Sequence, residues 1–222
     1  MIILIFFLSF FLTAGPLRAQ DERHYFEAGI EFINQGEIPL AIESFRKAIR
    51  ANPNIPQFHN ALGVALLKTE EGIIGAMNAF MTATELNPHY GDPYFNIGTY
   101  YAGVAKDPIL AKEFFEKSIE ADPNFAKGYT GLGWLELQKQ NGYDAVQYFE
   151  KAVKRDPDVV EAQYGLGLAY VAAEKRGAAL KSITLLRQIG RDDLARRIED
   201  IMKTPEKSES DTTQGGAGFE FF

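Results

Sequence analysis

The chain has no cysteine, three histidines and one tryptophan in 222 residues. Without cysteine there is no disulfide, no thiolate metal site, no thiol nucleophile and no lipid-bearing thiol. The histidines, His24, His59 and His89, have no second histidine or carboxylate at the spacing of an HExxH helix, so no metal site is expected. The glycines are scattered and form no GxGxxG or GxxxxGK[ST] loop, and no serine sits in a GxSxG elbow. Catalytic residues, cofactors and a small-molecule substrate are therefore not expected. Lysine and arginine number 23 against 30 aspartates and glutamates, a net charge of −7 with no basic block. Nucleic acid and anionic membrane surfaces are accordingly poor partners. No stretch has the alternation of a strand.

What the chain does have is a period. Pro53, Pro88, Pro123 and Pro157 are 35, 35 and 34 residues apart, and each follows Asn52, Asn87, Asp122 or Asp156. A residue before proline is pushed out of the helical region, so each phrase stops one helix and opens the next. Upstream of each proline runs a small-aromatic-small ladder: Ala41, Phe45, Ala48; Ala76, Phe80, Ala83; Ala111, Phe115, Ser118; Ala145, Phe149, Ala152. Further upstream a second ladder places Gly29, Gly63, Gly98 and Gly133 at one phase. The unit is clearest in Ala126–Val159, where two amphipathic helices meet at Asn141-Gly142. Neither helix could bury its apolar face alone, so the unit needs copies of itself as neighbours.

These residues resemble the tetratricopeptide repeat family, in which helix A carries an aromatic, Leu-Gly and Tyr, and helix B carries Ala, Phe, Ala and a closing Pro. The resemblance covers roughly Glu22 to Asp193. It implies an all-α, right-handed superhelical solenoid of about five helix pairs, with repeats near 22–55, 56–90, 91–125, 126–159 and 160–193. The fifth repeat keeps Leu166-Gly167, Tyr170 and Ala179, has Ile183 in place of the Phe and lacks the closing Pro. Asp107-Pro108 reads as a capped helix start. A last helix, 192–203, with Leu194, Ile198 and Ile201 on one side, reads as a cap covering the end of the stack.

Two segments flank the repeats. Met1–Gln20 holds an apolar run from Ile2 to Leu12 and then Gly15-Pro16, which should break a helix. The run is shorter than the about 20 residues of a membrane span and reads as a signal peptide cut after Ala19. An uncleaved N-terminal anchor, the one route to a membrane, and a buried structural helix are the alternatives. From Thr204 the composition is that of a solvated tail, broken at its end by Phe219, Phe221 and Phe222. Those phenylalanines either fold back onto an apolar patch or form a short linear ligand.

In such a solenoid the concave wall is lined by helix A residues outside the core. The ladders assign to it Phe26 and Ile30, Asn60 and Val64, Phe95, Asn96 and Thr99, Thr130 and Trp134, and Tyr164 and Leu168. This row is apolar and aromatic, and lacks the Lys, Asn and Arg pattern with which similar domains hold acidic chaperone tails. Trp134 turns away from the Tyr129–Leu132–Gly133 stripe, so it either lines the groove or packs under the next repeat. The expected partner is a protein or peptide. The expected role is a non-enzymatic adaptor in the cell envelope or outside the cell, or a permanent subunit of an envelope assembly or homo-oligomer.

Overall fold

The computed structural model describes residues 14–69 and 72–203, and of residues 14–20 the backbone alone. Among the described residues every regular element is an α-helix, and the eleven helices pack as consecutive pairs followed by one single helix. The chain divides into two compact units, Met1–Leu86 and Asn87–Phe222. The first holds α1 (Ala14–Asn34) against α2 (Ile38–Ala51), and α3 (Pro56–Leu66) against α4 (Ile73–Leu86). The second pairs α5 (Gly91–Gly103) with α6 (Pro108–Ala121), α7 (Ala126–Gln138) with α8 (Gly142–Arg155), and α9 (Val160–Ala172) with α10 (Arg176–Gln188). Its last described helix is α11 (Asp192–Lys203), which packs on α9 and α10.

One boundary differs from expectation. Helix α1 is described from Ala14 onward and continues through Gly15 and Pro16, where a break was expected. The apolar run Ile2–Leu12 and the tail from Thr204, with Phe219, Phe221 and Phe222, lie outside the described residues.

The helix ends repeat one device. Asn52, Asp122 and Asp156 take extended backbone before their prolines, with φ of −145°, −138° and −143°. Each also accepts a hydrogen bond across the proline, Asn54 N–H to Asn52 Oδ1 at 3.2 Å, Asn124 to Asp122 at 2.9 Å and Asp158 to Asp156 at 3.0 Å. His89 N–H donates to Asn87 Oδ1 in the same way at 3.0 Å. The Asn or Asp therefore builds the turn as well as stopping the helix. Asp107 caps α6 as its sequence predicts, accepting from Ile109 and Leu110 N–H at 3.0 Å.

The core is the pair of ladders. Phe45, Phe80, Phe115 and Phe149 are fully buried, as are the alanines around them. A Cβ on Gly29, Gly63, Gly98 or Gly133 would fall within 2.4–2.8 Å of the phenylalanine of its own repeat. Glycine is needed there because the ring lies flat against the helix backbone. In the fifth repeat Ile183 is buried in the phenylalanine position, but a Cβ on Gly167 would meet Ile198 of α11 at 2.5 Å. The cap thus fills the space that the smaller side chain leaves, and Ile198 and Ala195 are fully buried.

Candidate functional site

The N-terminal two-thirds of α7 and the start of α9, together with Phe95 of α5, enclose a cavity of about 320 Å³ in the second unit. Its lining is Phe95, Lys127, Thr130, Gly131, Trp134, Val159 and Glu161. Three of these, Phe95, Thr130 and Trp134, are residues the ladders had assigned to the wall. Phe95 is held by rings on two sides, Phe115 at 5.6 Å and Phe125 at 6.0 Å. Trp134 stands edge-on to Phe149 at 5.1 Å and tilted to Tyr164 at 6.1 Å.

Trp134 is only 5% exposed, so it packs under the following repeat while contributing to the cavity lining. Tyr164 and Leu168 were expected on an open wall and are instead buried in one cluster with Phe149, Ile183 and Ile198. The reason is α11, which covers α9 rather than only the end of the stack. Burial raises the Tyr164 phenol above its ordinary pKa, and the Arg197 guanidinium of α11, hydrogen-bonded to it, pulls it back.

Other assigned residues are dispersed. Phe26 is half-buried and packs against the Phe45 cluster of the first unit. Its ring lies 5.7 Å from Phe45 and 5.0 Å from Phe58, in the core of the first unit. Ile30 is 41% exposed, and Asn60 and Val64 are half-buried in the same unit. Asn96 and Thr99 are half-buried on α5 without lining the cavity. The hydroxyls of Thr99 and Thr130 bond back to Phe95 and Ala126 carbonyls at 3.0 Å, so both are engaged within their own helices.

The charged rim was not foreseen. Lys127 Nζ lies 3.3 Å from Asp92 Oδ1 and 5.8 Å from the Phe125 ring. Asp92, Lys127 and Glu161 are 35 and 34 residues apart, the same helix A position in three successive repeats. Their alternating sign at the repeat period was the available signal. One cationic and one anionic side chain thus flank an apolar, aromatic interior, an arrangement suited to anchoring an apolar side chain while reading charge beside it. Among the described residues no cluster of His, Asp or Glu is disposed to hold a metal, and no helix is long and apolar enough to cross a membrane.

Family models describing a TPR or tetratricopeptide repeat match residues 29–69, 92–125 and 130–193. These stretches are tetratricopeptide repeats. Superkiller complex protein 3 of Mus musculus is 25% identical over 124 residues, covering 54% of this chain and 8% of that protein. The chain therefore spans under a tenth of the length of this curated relative. Among solved structures, a thermophilic TPR protein of Thermus thermophilus is 20% identical with a TM-score of 0.64, over 82% of this chain and 98% of that one. PilF of Pseudomonas aeruginosa is 17% identical with a TM-score of 0.63, over 84% and 92%. YrrB, described as a TPR protein with an unusual peptide-binding site, is 19% identical with a TM-score of 0.51, over 82% and 93%. At these identities the likeness is one of fold. Tetratricopeptide-repeat proteins mediate protein–protein interaction and typically act as non-enzymatic scaffolds.

Proposed function

We propose that the chain is a non-enzymatic adaptor that holds a peptide or partner helix by an apolar side chain in the cavity between Phe95, Trp134 and Val159. The observation that carries this reading is the cavity itself, aromatic inside and bordered by Lys127 and Glu161. A buried aromatic anchor supplies most of the binding energy at such sites, and a charged rim selects among partners. The peptide-binding site named for YrrB supports the same use of the shared fold.

The test is a random-peptide library selected on the full chain, followed by calorimetric titration of the selected peptides. Peptides with an aromatic or large aliphatic anchor are expected. Trp134→Ala should weaken them about tenfold or more, and Lys127→Glu should reverse the preferred charge next to the anchor. Selected peptides that bind both variants as tightly as the native chain would overturn the reading.

The place of action we propose is the cell envelope or the exterior, on the support of the Ile2–Leu12 run and the small residue Ala19. Mass spectrometry of the native protein should find Gln20 first, and a chain still starting at Met1 would point to an anchor. A second reading, a permanent subunit of an assembly, is favoured by one observation. Ile109 and Tyr143, 34 residues apart at the same helix B position, are 80% and 64% exposed. Light scattering during size-exclusion chromatography separates the two, because a concentration-independent monomer fits the adaptor and a stable oligomer fits the subunit.

A further inference from the structure

One segment of the chain has the chemistry this cavity would accept. Residues 204–218 contain no Leu, Ile, Val, Met or aromatic residue, and three of the next four are phenylalanine: Phe219, Glu220, Phe221 and Phe222. Aromatic side chains gain most from a desolvated apolar pocket, and here three are gathered after a polar stretch. We propose that Phe219–Phe222 docks in the cavity as a tethered ligand that an external partner must displace. The proposal rests on the reading of that cavity as a peptide site and names its resident competitor.

Size, charge and reach all fit. A cavity of about 150 Å³ holds one benzene ring, so the 320 Å³ here accommodates two phenyl groups. In an extended segment Phe219 and Phe221 project to one side and Glu220 to the other. With both rings in the cavity, Glu220 is presented at the rim, and the register that fits is the one that sets it beside Lys127 rather than Glu161. Reach follows from where the described chain leaves the stack. Arg176 Nη1 donates to the Met202 carbonyl at 3.5 Å, so the end of α11 lies beside the start of α10. The cavity is at the opposite end of α9, at Val159 and Glu161. That separation is about one helix length, roughly 20 Å for the 13 residues of α9. Fifteen residues, 204–218, span roughly 20 Å as a flexible chain and about 50 Å fully extended. Tethering at such lengths gives an effective concentration near the millimolar range, which a free second copy does not reach.

The chain's lack of cysteine and its single tryptophan make the test direct. Bimane attached to an Ala217→Cys chain is quenched by tryptophan only at contact range, so its emission reports proximity to Trp134. Emission is expected to be severalfold lower than in the same chain carrying Trp134→Phe. The difference should vanish when Phe219, Phe221 and Phe222 are all replaced by Ala, and should be unchanged on dilution. Equal emission with and without Trp134 overturns the proposal. Quenching that fades on dilution also overturns it, because the occupant is then a second copy. A second measurement is independent of any tryptophan variant: deleting Phe219–Phe222 should tighten binding of a library-selected peptide about tenfold, if the tail itself binds at about 0.1 mM. If both forms bind that peptide equally and Lys127→Glu still alters its binding, the tail proposal fails while the peptide site stands. If quenching is present but no external peptide binds either form, the tail docks and the adaptor reading fails.

Discussion

In the first unit each core phenylalanine rests against one glycine, Phe45 on Gly29 and Phe80 on Gly63. In the second unit the ring is clamped between two. A Cβ on Gly98 or Gly131 would meet Phe115 at 2.7 Å, and one on Gly133 or Gly165 would meet Phe149 at 2.8 and 2.3 Å. The position of Gly131 and Gly165 holds Ala61 in the second repeat, and its methyl packs against the Phe45 cluster. Removing that methyl in the fourth and fifth repeats, at Gly131 and Gly165, lets the backbone of the following helix A touch the ring directly. Nine of the thirteen residues of α7 are buried, against three of the eleven of α3. The cavity occurs beside this close approach, with Gly131 and Trp134 in its lining. Tight ring-on-backbone stacking thus fixes the aromatic site, whereas α4 of the first unit leaves Ile74 and Met81 exposed on its surface.

The largest test of this contrast is Phe149→Ala, which removes the ring between Gly133 and Gly165 and the edge contact to Trp134. A loss of about 3–5 kcal/mol is expected for a fully buried phenylalanine. Trp134 fluorescence, which reports the second unit alone, should show the shift in denaturant midpoint. A loss under about 1 kcal/mol would mean that neighbouring side chains collapse into the space.

Next in size is the glycine exchange. Gly165→Ala places a methyl against a fully buried ring that has no flexible end to move, and should cost about 1–3 kcal/mol despite alanine's better helix propensity. The reciprocal Ala61→Gly should cost about 1 kcal/mol, mostly propensity. It should leave the Trp134 transition in place and shift only the far-ultraviolet dichroism. A stabilising Gly165→Ala would show that the double clamp is not required.

The helix pairing was legible in the sequence because it needs only a period. Phe45, Phe80, Phe115 and Phe149 recur at one phase, and amphipathic helices of that length cannot bury themselves otherwise. The turns were half legible: Asn52, Asp122 and Asp156 were read as helix stops, and the hydrogen bond across the proline is an ordinary property of their side chains. The wall was legible in part. Phe95, Thr130 and Trp134 line the cavity, but Tyr164 and Leu168 are hidden because α11 folds over α9, a contact between elements that no local pattern encodes. Phe26 also meets Phe58 of the next repeat, a contact between repeats that its own ladder does not encode. Lys127 and Glu161 were overlooked because a charge at a helix start ordinarily belongs to solvent.

The smallest effect concerns the seam between α8 and α9. The Tyr170 hydroxyl donates to Glu150 Oε1 at 2.9 Å. Burial of the ring, and then the hydrogen bond and charge of Glu150, push the phenol up to about 12. The unfolded phenol titrates near 10, so the folded chain favours the neutral form. The stabilisation is therefore fully present below about pH 10 and is lost as the pH rises through about 12. Tyr170→Phe should cost roughly 0.5–1.5 kcal/mol at neutral pH, toward the lower figure because the pair is near the surface and screened by solvent. Tyr164, whose phenol is also raised, is present in both chains and cancels in the comparison. The measurement is the difference in unfolding free energy between native and Tyr170→Phe chains across the alkaline range, read from Trp134 fluorescence. That difference should shrink from pH 10 upward. If it stays constant, the Glu150 contact does not hold the seam.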